Sequence, residues 1–196
     1  MTTERSEYMS ILNKLASFQG RRDDIPNREL AIELVAKQDT ASIRQIAENL
    51  WNKDKNIQSD CLKVLYEIGY LNPALIADYA DDFLKLLKSK NNRLVWGSMI
   101  ALSTFAELRT EVLYGHWEEI QQVMEAGSVI TVDAGVKTLA AIAAGSGKYR
   151  KKIFPHLLEH LAACRPKDVP QHAEQVLVAV DEKNKGEFIR VVEKRP

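Results

Sequence analysis

Apolar residues recur along the chain at steps of three and four almost without interruption, and alternation of apolar and polar residues over a strand length is hard to find. That period predicts helices throughout. The pattern breaks at GRRDDIPN (20–27), KQDT (37–40), NKDKN (52–56), GYLNP (69–73), KSKNN (88–92), ELRT (107–110), AGS (126–128), AGSGK (144–148), CRPKDVP (164–170) and DEKNKG (181–186). Each break holds the glycine, proline, asparagine, aspartate or charged residues that end one helix or start the next. The reading is about eleven helices of roughly 10 to 16 residues joined by short turns, as in antiparallel hairpins.

The hairpins repeat. Aligning CLKVLYEI (61–68), SMIALSTF (98–105), GVKTLAAI (135–142) and AEQVLVAV (173–180) gives a leucine column of Leu65, Leu102, Leu139 and Leu177, spaced by 37, 37 and 38 residues. A second column holds Ile68, Phe105, Ile142 and Val180, and a third holds the small residues Cys61, Ser98, Gly135 and Ala173, where neighbouring helices could approach closely. The preceding helices keep the same period: Ile46, Phe83, Ile120 and Leu157 are 37 apart, as are Leu50, Leu87, Met124 and Leu161. Hairpins that recur in this way stack, because none can bury its apolar face alone.

The aliphatic helix FLKLL (83–87), the polar turn KSKNN and the following LVWGSMIAL (94–102) together resemble a HEAT repeat. The resemblance covers roughly residues 40–182, with a less regular pair before and one helix after. It implies an all-α fold: a right-handed α-α superhelix of about five antiparallel helix pairs with a C-terminal capping helix, with residues 1–196 as one domain. The aspartate usual in the family's turn aligns with Asp54, Asn91, Ser128 and Pro166, and its arginine with Gln58, Val95, Val132 and Pro170. The aspartate–arginine ladder is nearly absent, so the chain reads as a divergent, HEAT-like or armadillo-like member.

Composition narrows the functions such an array could have. The 27 lysines and arginines balance 27 aspartates and glutamates, which removes the global field that draws a protein to nucleic acid or anionic lipid. The N-terminal MTTERSEYMS carries charge where a signal peptide would be apolar, and no apolar run approaches the ~20 residues that span a bilayer. Two cysteines, Cys61 and Cys164, suit a reducing compartment, so the expected location is cytoplasmic.

Three stretches invite a chemical reading. HLLEH (156–160) satisfies the inverted zinc-protease pattern H-x-x-E-H, and Cys164 continues the same stripe. By register His160 aligns with Leu86 and Val123 at a core-facing position, and His156 with Asp82 and Glu119 at a polar one. Cys164 lies eight residues, roughly 12 Å, from His156, so one ion cannot take all three. The expectation is no metal and no cofactor, with His160 replaceable by leucine, and His116 and His172 solvated near helix starts. AAGSGKYRKK (143–152) fails the phosphate-loop pattern, since Ile142 and Tyr149 stand where glycine and serine or threonine are needed. It leaves a basic patch of Lys148, Arg150, Lys151 and Lys152, a candidate anion site whose plainer reading is a solvated face. Cys61 falls in the small column, with no histidine in a matching column, so no nucleophilic site assembles.

Function is therefore expected on the surface the stack presents. Opposite the buried stripe of the second helices run Ser59, Lys63, Tyr66 and Tyr70, then Trp96, Ile100, Ser103 and Glu107, then Asp133, Lys137 and Ala140. Family resemblance places these helices on the concave side. Aromatic anchors flanked by charge suit a groove that binds a protein or peptide, with Lys63, Tyr66, Tyr70, Trp96, Ile100, Asp133 and Lys137 as candidate contacts and no enzymatic activity. The competing reading is a DNA glycosylase of the alkylation-repair type, whose helical-repeat groove would use Trp96 and Asp133. The absence of a run of groove arginines argues against it.

Overall fold

The computed structural model describes residues 11–195, which leaves the charged N-terminal stretch 1–10 outside the described residues. Among them the chain forms eleven α-helices and no strand. The fold is all-α, and every break in the sequence pattern falls at or between helix ends. Helix lengths are less even than the pattern implies, from 5 to 17 residues, because several helices tighten into 3-10 turns at their ends. The chain divides between Phe105 and Ala106 into two compact units.

The first unit holds α1 (Ile25–Lys37), α2 (Thr40–Glu48), α3 (Lys55–Leu71), α4 (Ala80–Leu86) and α5 (Asn92–Phe105). Short acceptors start three of them: Asp39 accepts from the Ser42 amide at 3.0 Å, Asp54 from Asn56 at 2.8 Å and Asn91 from Arg93 at 3.0 Å. Central α3 packs against α1, α2 and α5. The predicted columns Ile46, Leu50, Leu65, Ile68, Phe83, Leu87, Leu102 and Phe105 are all buried there. Gly97 lets α5 approach α3, since a Cβ on it would lie 2.6 Å from Leu62 Cδ2. A polar network ties the leading segment to this core. Asn27 accepts from the Ala16 amide at 3.0 Å and donates to Asp60 at 2.8 Å, and Asp60 also accepts from the Ser17 amide at 2.8 Å.

The second unit holds α6 (Thr110–Tyr114), α7 (Trp117–Glu125), α8 (Val129–Ala144), α9 (Gly147–Ala163), α10 (Val169–Val176) and α11 (Lys185–Glu193). Ser128 caps α8 through the Thr131 amide and Ser146 caps α9 through Tyr149. The aligned column of Asp54, Asn91 and Ser128 thus supplies helix caps. What it keeps is a short acceptor for an unpaired helix amide. Central α8 packs against α7, α9 and α10, and α11 packs against α9. A Cβ on Gly135 would lie 2.6 Å from Met124 Cγ, so α7 and α8 meet where the small column predicts.

The last hairpin departs from the sequence alignment. Leu177 is 53% exposed, whereas Val176 and Ala179 are fully buried. The period therefore continues at 37 residues, from Leu139 to Val176 and from Ile142 to Ala179, and the extra residue inserted to reach Leu177 and Val180 was not needed. In this register the residue below Cys61, Ser98 and Gly135 is His172, and Ala173 is its neighbour.

Candidate functional site

In the first unit, spacings of three and four put Lys63, Tyr66 and Tyr70 on one face of α3, and α5 brings Trp96 beside them. The Tyr66 ring centroid is 6.2 Å from Tyr70, edge-on at 80°, and 6.2 Å from Trp96, tilted at 56°. Lys63 Nζ sits 4.7 Å from the Tyr66 centroid and pairs with Asp24 at 2.8 Å and Glu67 at 2.6 Å. Burial opposes the Lys63 charge, but its hydrogen bonds to Asp24 and Glu67 prevail and hold its pKa above the ordinary lysine value. The same bond to Lys63 holds the Asp24 carboxyl below its usual range.

Exposure sorts these residues differently from the sequence expectation. Tyr66 is buried at 7%, not outward, and serves as a pedestal on which the exposed Tyr70 and the half-buried Trp96 rest. Ile100 is also half-buried. Ser103, expected in the outward column, is buried because its hydroxyl turns back to the Ile100 carbonyl at 2.7 Å. Beside Trp96 lies a cavity of about 170 Å³ whose walls include Arg22, Asp24, Asp60, Lys63 and Arg93. Asp24 is neutralised by Lys63, and both Asp60 oxygens are taken by Asn27 and Ser17. Arg22 and Arg93 are exposed and make no ion pair among the described residues, so they are the uncommitted charges of this wall. No periodic signal marks them, since Arg22 comes from the loop before α1 and Arg93 from the first turn of α5.

In the second unit Lys137 is exposed, but Asp133 is committed: its Oδ1 lies 2.8 Å from His172 Nε2. One oxygen of this carboxylate is therefore held by a buried imidazole. The basic patch does not converge either. Arg150 pairs with Asp181 at 2.9 Å, Lys148 Nζ lies 5.6 Å from the Tyr114 centroid, and Lys151 and Lys152 are exposed.

His172 is not solvated but 1% exposed. The reversal through CRPKDVP brings it from α10 onto the end of α9, where its Nδ1 lies 3.0 Å from His160 Nε2. His160 is therefore not an inert core substitute for leucine. Burial, and then the neighbouring His172, hold its pKa below the ordinary histidine value. Cys164, at the end of α9, completes a group whose two imidazoles and thiol place their ligand atoms within 4.8 Å of one another. His156 lies outside this group, tilted against Trp117 at 5.2 Å and within 3.3 Å of Gln121 Nε2. Cys61 is fully buried, which pushes its thiol up to where it is unreactive.

No family model matches the chain, and no curated protein matches it in sequence. Solved structures match its fold. An engineered protein superposes with a TM-score of 0.65 at 18% identity, over 96% of this chain and 85% of that one. Kap121p bound to Pho4p matches at 0.60 and 16% identity over 95% of this chain, and the karyopherin Kap121p bound to the SUMO protease Ulp1p at 0.60 and 16% over 94%. The chain spans about a fifth (21%) of either Kap121p chain. These likenesses support a helical-repeat fold. Among the described residues no helix is long and apolar enough to cross a membrane.

Proposed function

We propose that the protein is a non-catalytic helical-repeat scaffold, and that the face built by α3 and α5 binds an extended protein segment. The observation that carries this reading is the exposed Tyr70 and half-buried Trp96 on a buried Tyr66, next to a cavity whose wall cations without an ion pair among the described residues are Arg22 and Arg93. Aromatic anchors on a rigid base lose little entropy on binding and concentrate contact energy. The segment that fits carries an apolar side chain for Trp96 and Tyr70 and a carboxylate for the two guanidinium groups. That Kap121p, which shares this fold, is solved with bound proteins supports the same use of it here.

Selection from a random peptide library displayed on phage tests this. Enriched peptides should pair an acidic with an aromatic or aliphatic residue. Trp96→Ala and Arg93→Glu should each weaken the best peptide at least about tenfold, as for an anchor contributing ~2 kcal/mol, with melting unchanged. Selection that yields no consensus, or a consensus indifferent to both substitutions, overturns the proposal.

A further inference from the structure

The polar cluster of the second unit has the composition and layout of a metal site. His160 on α9 and Cys164 at its C-cap are four residues apart, so they lie on the same side of the helix end, and His172 reaches them from α10 across the hairpin turn. In tetrahedral zinc coordination two imidazole nitrogens stand about 3.3 Å apart, given Zn–N bonds of about 2.0–2.1 Å. His160 Nε2 and His172 Nδ1 are already at 3.0 Å, and the Cys164 thiol lies within 4.8 Å of both. Histidine ligands usually donate their other nitrogen to a carboxylate, which sets the tautomer and orients the ring. His172 Nε2 does so to Asp133 Oδ1 at 2.8 Å, and that makes Nδ1 an acceptor, turned toward His160 Nε2–H at 3.0 Å in the metal-free protein. A cavity of about 280 Å³, lined in part by Asp133, His160, Cys164, Asp168 and His172, gives an ion a way in.

We propose that His160, Cys164 and His172 bind one zinc ion, with Asp133 orienting His172 and water in the fourth position. The donor set, two imidazoles and a thiolate, is that of a borderline-soft tetrahedral ion and not of magnesium or calcium. Binding releases the Cys164 thiol proton and shifts the His160 proton from Nε2 to Nδ1, so that both imidazoles stay neutral and each presents a lone pair to the ion. Asp168 lines the same cavity but is held by Arg165 at 2.6 Å, so it neighbours the ion without ligating it. The ion pins α10 to the end of α9, where the fourth hairpin buries a histidine in place of the small residue of the other three.

The test is a cobalt titration of tag-free, chelator-treated protein. One equivalent of Co²⁺ should bring in tetrahedral d–d bands and a thiolate-to-cobalt charge-transfer band, both displaced by Zn²⁺. Zn²⁺ should also raise the melting temperature. The half-exposed Cys164→Ser should abolish the charge-transfer band while remaining folded, and Asp133→Asn should weaken binding about tenfold or more. Cys61→Ala should leave the spectrum intact. Absence of the charge-transfer band in wild type, its survival in Cys164→Ser, or its loss in Cys61→Ala overturns the proposal. A spectrum that persists unchanged in His160→Gln does so as well.

Discussion

In the first unit Asn27 and Asp60 satisfy each other and the amides of Ala16 and Ser17. In the second unit the chain from Asp133 through His172 to His160 ends at the Cys164 thiol beside a cavity. Both arrangements carry the cost of taking polar groups out of water. In the first, backbone amides offset it, and what results is a clamp on the leading segment. In the second it is offset by imidazole hydrogen bonds, and the Cys164 thiol at the end turns to the Leu161 carbonyl, so the network carries metal-ligand atoms up to the edge of a cavity. A polar network that closes on backbone amides marks architecture, and one that ends on imidazoles and a thiol is where we propose an ion.

The comparison can be broken from either side. Asn27→Leu should have the largest effect, about 3 kcal/mol in urea melts, because it strands the Ala16 amide and one Asp60 oxygen inside a buried site. Added zinc should not change that loss. His160→Leu should cost less, about 1–2 kcal/mol in chelator-treated protein, since it strands the buried Nδ1 of His172, and it should also remove the stabilisation by zinc. A neutral or stabilising result would restore the leucine-equivalent reading of that column. Leu177→Ala should have the smallest effect, within about 0.5 kcal/mol, because Leu177 is 53% exposed. A large loss there would mean that the last hairpin keeps the 38-residue step after all.

Much of the fold was legible because burial is periodic. The columns through Leu65, Leu102 and Leu139, and through Ile46, Phe83, Ile120 and Leu157, are buried as read. The fourth hairpin misled because both Val176 and Leu177 are apolar, and an alignment of residue types cannot choose between adjacent aliphatic side chains. That one-residue slip placed Ala173 in the small column and moved His172 out of view. A strict 37-residue period would have set His172 below Gly135, in a buried column, four residues short of the buried Val176. The spacing of Lys63, Tyr66 and Tyr70 showed that they share a face. It did not show that Tyr66 would be covered by its neighbours on that face. Arg22 was illegible for another reason, since loop residues belong to no column. Periodicity reports which side of a helix meets the core, whereas the contact of Asp133 with His172 is made between helices 39 residues apart and leaves no local mark.

The two cysteines are both described and differ sharply in access: Cys61 is fully buried, and Cys164 is half-exposed at the end of α9. The folded protein therefore offers a thiol-reactive label one accessible attachment point without any engineering. A nitroxide or dye attached at Cys164 would occupy the mouth of the cavity and report on the second unit alone, and attachment at Cys61 would signal that the first unit had opened.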